Sequence, residues 1–368
     1  MHRMYVAAFL FLSACGGSDD PGPTGANSGG AAGTGSGGSS SGGAAGSATG
    51  GSSSGGTAGS ATGGSAGANT GGTAGTASGG AAGSGTGGGG GSGNCAGFPD
   101  ASSTGIAGVG LKESDLKASP VANGTWTIKQ PGVYSDFIHL GRIVVSADDV
   151  TLKRCVVRAA ANTPLITNSG KNLVVEDCTI EGTGKTLGSD ICAAAMGYSN
   201  YVARRVDASG CADGFKLGSD VTIEDSFIHS LLKAEGTGGP GSGTHNDGFQ
   251  LNNNANATGT ILISGNRTDL VHCTSNRQFQ LGGNMQNLII EKNCFSGLHG
   301  ILNVGGSISG KAELKNNVLA GSPSSGPFTE KPGLYTGAVG PIVRSGNVFE
   351  SGEPVDTDTR DASYACVP

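Results

Sequence analysis

Eight segments of the chain repeat one pattern of apolar and polar positions. They are VTLKRCVVR (150–158), LVVEDCTIEG (173–182), YVARRVDASG (201–210), VTIEDSFIHS (221–230), ILISGNRTDL (261–270), LIIEKNCFSG (288–297), AELKNNVLAG (312–321) and IVRSGNVFES (342–351), and they align without gaps. Each alternates apolar and polar residues, turns at a polar position and resumes as a second short strand. Successive segments start roughly 20 to 30 residues apart, the period of a solenoid coil. The interval from Val221 to Ile261 is wider and holds the Gly-rich insertion KAEGTGGPGSGT (233–244). The pattern predicts an all-β chain wound as a parallel β-helix of about eight to ten coils, with rungs about 4.8 Å apart and inward residues buried against their neighbours. A β-sandwich would show hairpin turns instead of in-register repetition, and leucine-rich repeats would show their Leu/Asn signature.

The turn position itself forms a column: Cys155, Cys178, Val206, Ser226, Asn266, Asn293, Asn317 and Asn347. Four successive asparagines predict an internal amide ladder in the C-terminal half. The region 98–132, which holds the one tryptophan, Trp126, is expected to cap the first coil, since a solenoid end must be covered. A further strand precedes several of the segments: ADGFKLG (212–218), NDGFQLN (246–252), RQFQLGG (277–283) and GILNVGG (300–306). Phe215, Phe249, Phe279 and Leu302 then share one inward column, and Leu217, Leu251, Leu281 and Val304 another. Lys216, Gln250, Gln280 and Asn303 are left as a polar file facing outward.

Composition divides the chain into an exported leader, a tether and a domain. Met1 to Cys15 reads MHRMYVAAFLFLSAC, a basic start, an apolar run and small residues before a cysteine, as an export signal does. Leu12-Ser13-Ala14-Cys15 resembles a bacterial lipobox, which implies cleavage before Cys15 and its lipidation, with Gly16 directing the product to the outer membrane or cell surface. Residues 16–93 are nearly all Gly, Ser, Ala and Thr, with Asp19 and Asp20 their only charges. They hold no large apolar residue to offset ordering entropy and are expected to be a disordered linker of about 50 Å r.m.s. reach. Residues 94–368 remain as the β-helix domain. A net charge of −6 argues against a nucleic-acid partner, the membrane is met through the lipid alone, and nothing in the sequence points beyond a monomer.

Nine cysteines less Cys15 leave eight in an oxidising compartment. Repeat positions suggest Cys155 with Cys178, Cys192 with Cys211, Cys273 with Cys294, and Cys95 with Cys366 bracketing the domain. No clustered Cys/His spacing suits zinc.

Candidate chemistry gathers on the strands preceding the repeats. Asp213 and Asp247 each precede a glycine, by default a turn signal. Their company is less ordinary: Lys216 follows Asp213 by three residues, His245 precedes Asp247 by two, Gln250 follows it by three, and Arg277 falls in the aspartate column one coil on. Two carboxylates, an ammonium, an imidazole and a guanidinium would lie within a few rungs, beside an insertion that leads into His245. A polar file on a flat face suits an extended saccharide, with Asp213, Asp247, Gln250, Gln280 and Asn303 as binding residues.

At these residues a resemblance enters. The run RVDASGCADGFKLGSDVTIEDSFIHS followed by HNDGFQ is similar to a bacterial subgroup of the pectate-lyase-like superfamily that repeats DGxKLG and HxDGxQ motifs, and the opening FPDASSTGI fits it too. The resemblance covers most of residues 98–351. It implies a right-handed parallel β-helix and, among the activities such folds carry, a polysaccharide lyase cleaving a uronate polymer by β-elimination. Lys216 would then take the C5 proton with His245 as the acid, or His245 would be the base in its place; Arg277 would pair with the sugar carboxylate, and calcium on Asp213 and Asp247 would share that task. A glycoside hydrolase using Asp213 and Asp247, and a surface glycan-binding or adhesive module without a catalyst, stay open beside it.

Overall fold

The computed structural model describes residues 95–184, 191–232, 234, 243–270, 277–296, 302–320 and 342–354, with Arg277 and Asn303 described by their backbone alone. Cys15, residues 16–93 expected to be a linker, most of the insertion, Cys273 and Cys366 lie outside the described residues. Over the described residues the chain is an all-β parallel β-helix with 23 strands. Between Leu173 and Val304 each coil contributes one strand to each of three faces, while the earlier strands Gly132–Val145 and Val150–Ala159 run across more than one face. The first face stacks Leu173–Glu176, Tyr201–Arg204, Val221–Glu224, Asn256–Ser264, Asn284–Glu291 and Ala312–Lys315. Thr179–Gly182, Asp207–Ser209, Phe227–His229, Arg267–Asp269, Cys294–Ser296 and Val318–Ala320 form the second. Ala194–Tyr198, Asp213–Lys216, Asp247–Leu251, Arg277–Leu281 and Leu302–Val304 form the third.

The inward columns are those the alternation predicts. Val175, Ala203, Ile223, Ile263, Ile290 and Leu314 stack in register on the first face, all fully buried. On the third, Phe215, Phe249 and Phe279 lie ring over ring, with centroids 6.1 and 4.6 Å apart, and Phe295 meets the last edge-on from the second face. Each such side chain contributes roughly 1.5–3 kcal/mol through its removal from water.

The corner between the first and second faces is built the same way on every rung. One residue takes a left-handed conformation: Asp136, Arg154, Asp177, Arg205, Asp225, Gly265, Lys292, Asn316 and Gly346, with φ between 48° and 70°. The next residue turns inward, giving the column predicted from Cys155 to Asn347. Its amide ladder is present: Asn293 Nδ2 donates to Asn317 Oδ1 at 3.0 Å and to Ile263 O at 3.0 Å, while its own Oδ1 accepts from Asn266 N at 2.8 Å and Asn266 Nδ2 at 3.0 Å. Asn317 repeats the pattern with Asn347, and Ser226 N donates into the ladder's first amide at 2.9 Å.

The N-terminal region takes a different form from the expected cap at 98–132. Lys117–Ile128, with buried Trp126, is itself a rung, paired in parallel with Gly132–Val145. The residues before it form a strap that runs back along the second face, against the direction in which the coils grow. Cys95 packs with Cys294 and Ala320, Gly105 N donates to Arg205 O at 2.8 Å, and Glu113 pairs with Arg158 at 2.6 Å. Gly105 has φ +59°, and a Cβ there would stand 2.3 Å from Thr179 Oγ1, so the strap's close approach requires glycine.

The strap also corrects the cysteine pairing. Cys155–Cys178 and Cys192–Cys211 form as the repeat suggests, but Cys294 bonds Cys95, 199 residues away, so neither Cys273 with Cys294 nor Cys95 with Cys366 is formed. The reason is topological. The strap carries Cys95 across several coils to a rung that its sequence position gives no hint of.

Two outcomes follow from this architecture. Peptide mapping without reduction should recover Cys95–Cys294 as one linked pair, and a Cys95–Cys366 peptide would contradict the strap. Asn293→Ala should cost about 3 kcal/mol or more in denaturant unfolding, since it strands several buried partners at once, each worth roughly 1–3 kcal/mol.

Candidate functional site

The predicted polar file is in register. Lys216 pairs with Gln250, Gln250 with Gln280, and Gln280 with Asn303, on four successive rungs of the third face. Asp247 likewise pairs with Arg277. The side chains of Arg277 and Asn303 lie outside the described residues.

Asp213 and Asp247 are not in turns. Both open strands, and the glycine after each is there for space: a Cβ on Gly214 would stand 2.4 Å from Gly248 O and 2.9 Å from Ile228 Cγ2. The strands thereby approach closely enough to close a polar network. Lys216 Nζ lies 2.8 Å from Asp213 Oδ2 and also donates to Gln250 Oε1. Gln250 Nε2 donates to Asp247 Oδ2 at 3.2 Å, and Asp213 Oδ1 accepts the Asp247 N–H at 2.9 Å.

Burial decides what this network can do. Lys216 keeps 6% of its surface, Asp213 4% and Asp247 none, although the lysine belongs to the outward file. Burial works against the charged ammonium, but the Asp213 carboxylate beside it, with Asp247 behind, outweighs burial and holds the lysine above its ordinary pKa. A base needs the reverse. Lys216 is a protonated, doubly bonded cation and not the proton acceptor expected of it. The aspartates are committed in the same way: both Asp213 oxygens and one of Asp247 accept donors from this network, and a lysine ammonium stands where a calcium ion would need ligands. Among the described residues no group of three or more His, Cys, Asp or Glu could hold a metal. The pair does not fit a hard cation that takes six to eight oxygens.

His245 is exposed, and its segment is anchored on both sides. Thr244 Oγ1 donates to Leu232 O at 3.1 Å, and Asn246, fully buried, donates to the same carbonyl. The imidazole therefore stands at the edge of the buried network on a fixed base.

Arg142 and Tyr198 are the residues that sequence reasoning missed. Arg142 precedes inward Ile143 in Gly132–Val145, so it faces outward on the third face, three rungs before Lys216. It is half-buried, its buried Nε has no hydrogen-bond partner, and no carboxylate among the described residues pairs with it. Burial lowers its pKa, with the Tyr198 phenol acting in the other direction, and the same phenol also raises Lys216. The signal was available: GRIVV (141–145) precedes the first repeat segment as ADGFKLG precedes the fourth.

No family model, curated protein or solved structure matches this chain.

The network's energetics give a direct test. Asp213→Ala should destabilise by about 3–5 kcal/mol, because it leaves a buried ammonium without its counter-charge. The double variant Asp213→Ala/Lys216→Met should recover more than half of that loss. Because the folded-state pKa of Lys216 is raised, its contribution is complete below the ordinary lysine value of 10.5 and disappears as pH climbs through the higher folded value. Denaturation curves of wild type and the double variant should therefore converge only at strongly alkaline pH.

Proposed function

We propose that this protein is a lipid-anchored surface protein of the pectate-lyase-like kind that holds an acidic polysaccharide along the third face of its β-helix. Export and anchoring through Cys15, with residues 16–93 as tether, place the domain where such polymers are met. The observation that carries the reading is the uncommitted guanidinium of Arg142 on the face that also bears Gln250, Gln280 and Asn303. A half-buried cation with no counter-charge among the described residues is poised for an anionic group. On the same face, Gln280 follows Gln250 in rung-spaced register and is the amide of the file that would meet sugar hydroxyls.

A second reading is favoured by one observation, the exposed imidazole of His245 on its anchored segment. In a β-elimination it would accept the C5 proton, the C5–H electron pair would form the C4–C5 double bond, and the C4–O bond would break, with its oxygen protonated as it leaves. Buried Lys216 would supply positive potential from behind and no proton chemistry. Elimination needs no calcium in this form.

The test is retention of the whole mature chain on immobilised polyuronate, read beside ultraviolet absorbance for a new conjugated double bond. Wild type should be retained, and Arg142→Ala and Gln280→Ala should each weaken binding about five- to tenfold, the worth of one lost hydrogen bond or exposed charge contact. Absorbance that rises with wild type and not with His245→Ala would establish the elimination. No retention of wild type on any polyuronate would overturn the proposal.

A further inference from the structure

A second constellation lies on the second face, at the corner that leads to the third. His229 Nε2 lies 2.8 Å from Asp207 Oδ1, and His229 Nδ1 lies 3.0 Å from the hydroxyl of Ser230. Asp207 and His229 belong to neighbouring rungs, so the parallel register sets their separation. An ionised carboxylate can only accept, which places the imidazole proton on Nε2 and leaves Nδ1 to accept the serine proton. The imidazole is held from its face as well: the Phe227 ring stacks on it with centroids 4.4 Å apart and planes 16° from parallel. On the Asp207 side the strap closes in, since a Cβ on Gly105 would stand 2.9 Å from Asp207 Cβ.

Ser230 is exposed and sits in the left-handed region, with φ +48°. For a serine this conformation is uncommon.

We propose that Ser230, His229 and Asp207 form an acyl-transfer site that hydrolyses carboxylic esters, with Ser230 as nucleophile, His229 as general base and Asp207 as the residue that positions it. Ser230 Oγ attacks the ester carbonyl carbon and passes its proton to His229 Nδ1. Attack gives a tetrahedral intermediate with the negative charge on the former carbonyl oxygen. Collapse of the tetrahedral intermediate breaks the ester C–O bond, and the alcohol leaves with the proton from Nδ1. Water, deprotonated by the same nitrogen, then releases the acid and restores the serine. The arrangement requires a nucleophile bonded to a base and a base bonded to an orienting carboxylate, and both bonds are present. Access at an open corner suits a small acyl group carried on a larger molecule. An O-acyl substituent of the polymer on the neighbouring face is the ester class that the position fits. This activity does not depend on the binding proposal, because a small chromogenic ester reports it without any polymer.

The experiment treats the full mature chain with a fluorophosphonate label and with p-nitrophenyl acetate. Label should appear on Ser230, and Ser230→Ala and Ser230→Gly should both abolish labelling and turnover. The glycine variant accepts the positive φ, so its loss of activity cannot be laid to a disturbed corner. Asp207→Asn should lower kcat about a hundredfold or more with little change in KM, as expected when the imidazole tautomer is no longer set. An unlabelled wild type with no turnover, or labelling that survives Ser230→Gly, would overturn the proposal and leave a surface hydrogen-bond chain. Ester cleavage without polyuronate retention would sink only the binding proposal.

Discussion

The structure depends on one constraint, that every coil must pass the corner between the first and second faces in the same way as the coil below it. A left-handed residue followed by an inward one does this on each rung, and stacking then follows, because a corner out of step would shift a whole strand to the wrong face. The asparagine column reinforces the constraint where it is strongest. Each amide serves the rung before and the rung after, so its hydrogen bonds are satisfied only if the two coils are in register. Polar groups that would be costly in a core thereby become the device that specifies it.

The same stacking governs the charged groups. On the third face Asp213, Lys216, Asp247 and Gln250 are brought together by register and closed over by tight strand approach at Gly214 and Gly248. A cluster that resembles an active site in composition thus becomes a buried, internally neutralised network. Groups outside it keep their freedom. Among the described residues Arg142 has no counter-charge, His245 is exposed at the network's edge, and Ser230 is exposed at a corner. In a solenoid the corners and the loop-flanked face are where backbone groups escape the ladder, and chemistry is available there.

The strap adds a tertiary link that the repeat does not contain. By fastening Cys95 to Cys294 it joins the start of the domain to a distant rung, closing a loop of 199 residues. Disulfides that close long loops constrain the unfolded chain most, by roughly 2–5 kcal/mol for a native bridge. A quasi-linear stack held otherwise by nearest neighbours gains a tie along its length.

The amino-acid sequence by itself determined the solenoid, its inward columns, the asparagine ladder, the register of Lys216 with Gln250 and Gln280, and the two cystines that join neighbouring coils. All of these are consequences of periodicity, and a period is written in the chain. Only the tertiary structure decided whether Lys216 was exposed or buried, that Arg142 had no carboxylate partner among the described residues, that Cys95 reached Cys294, and that Ser230, His229 and Asp207 formed one hydrogen-bonded line. Those outcomes depend on side-chain direction, on how closely two strands approach, and on where a non-repeating segment lies across the repeat. None of these carries a period, and each is set by packing in three dimensions.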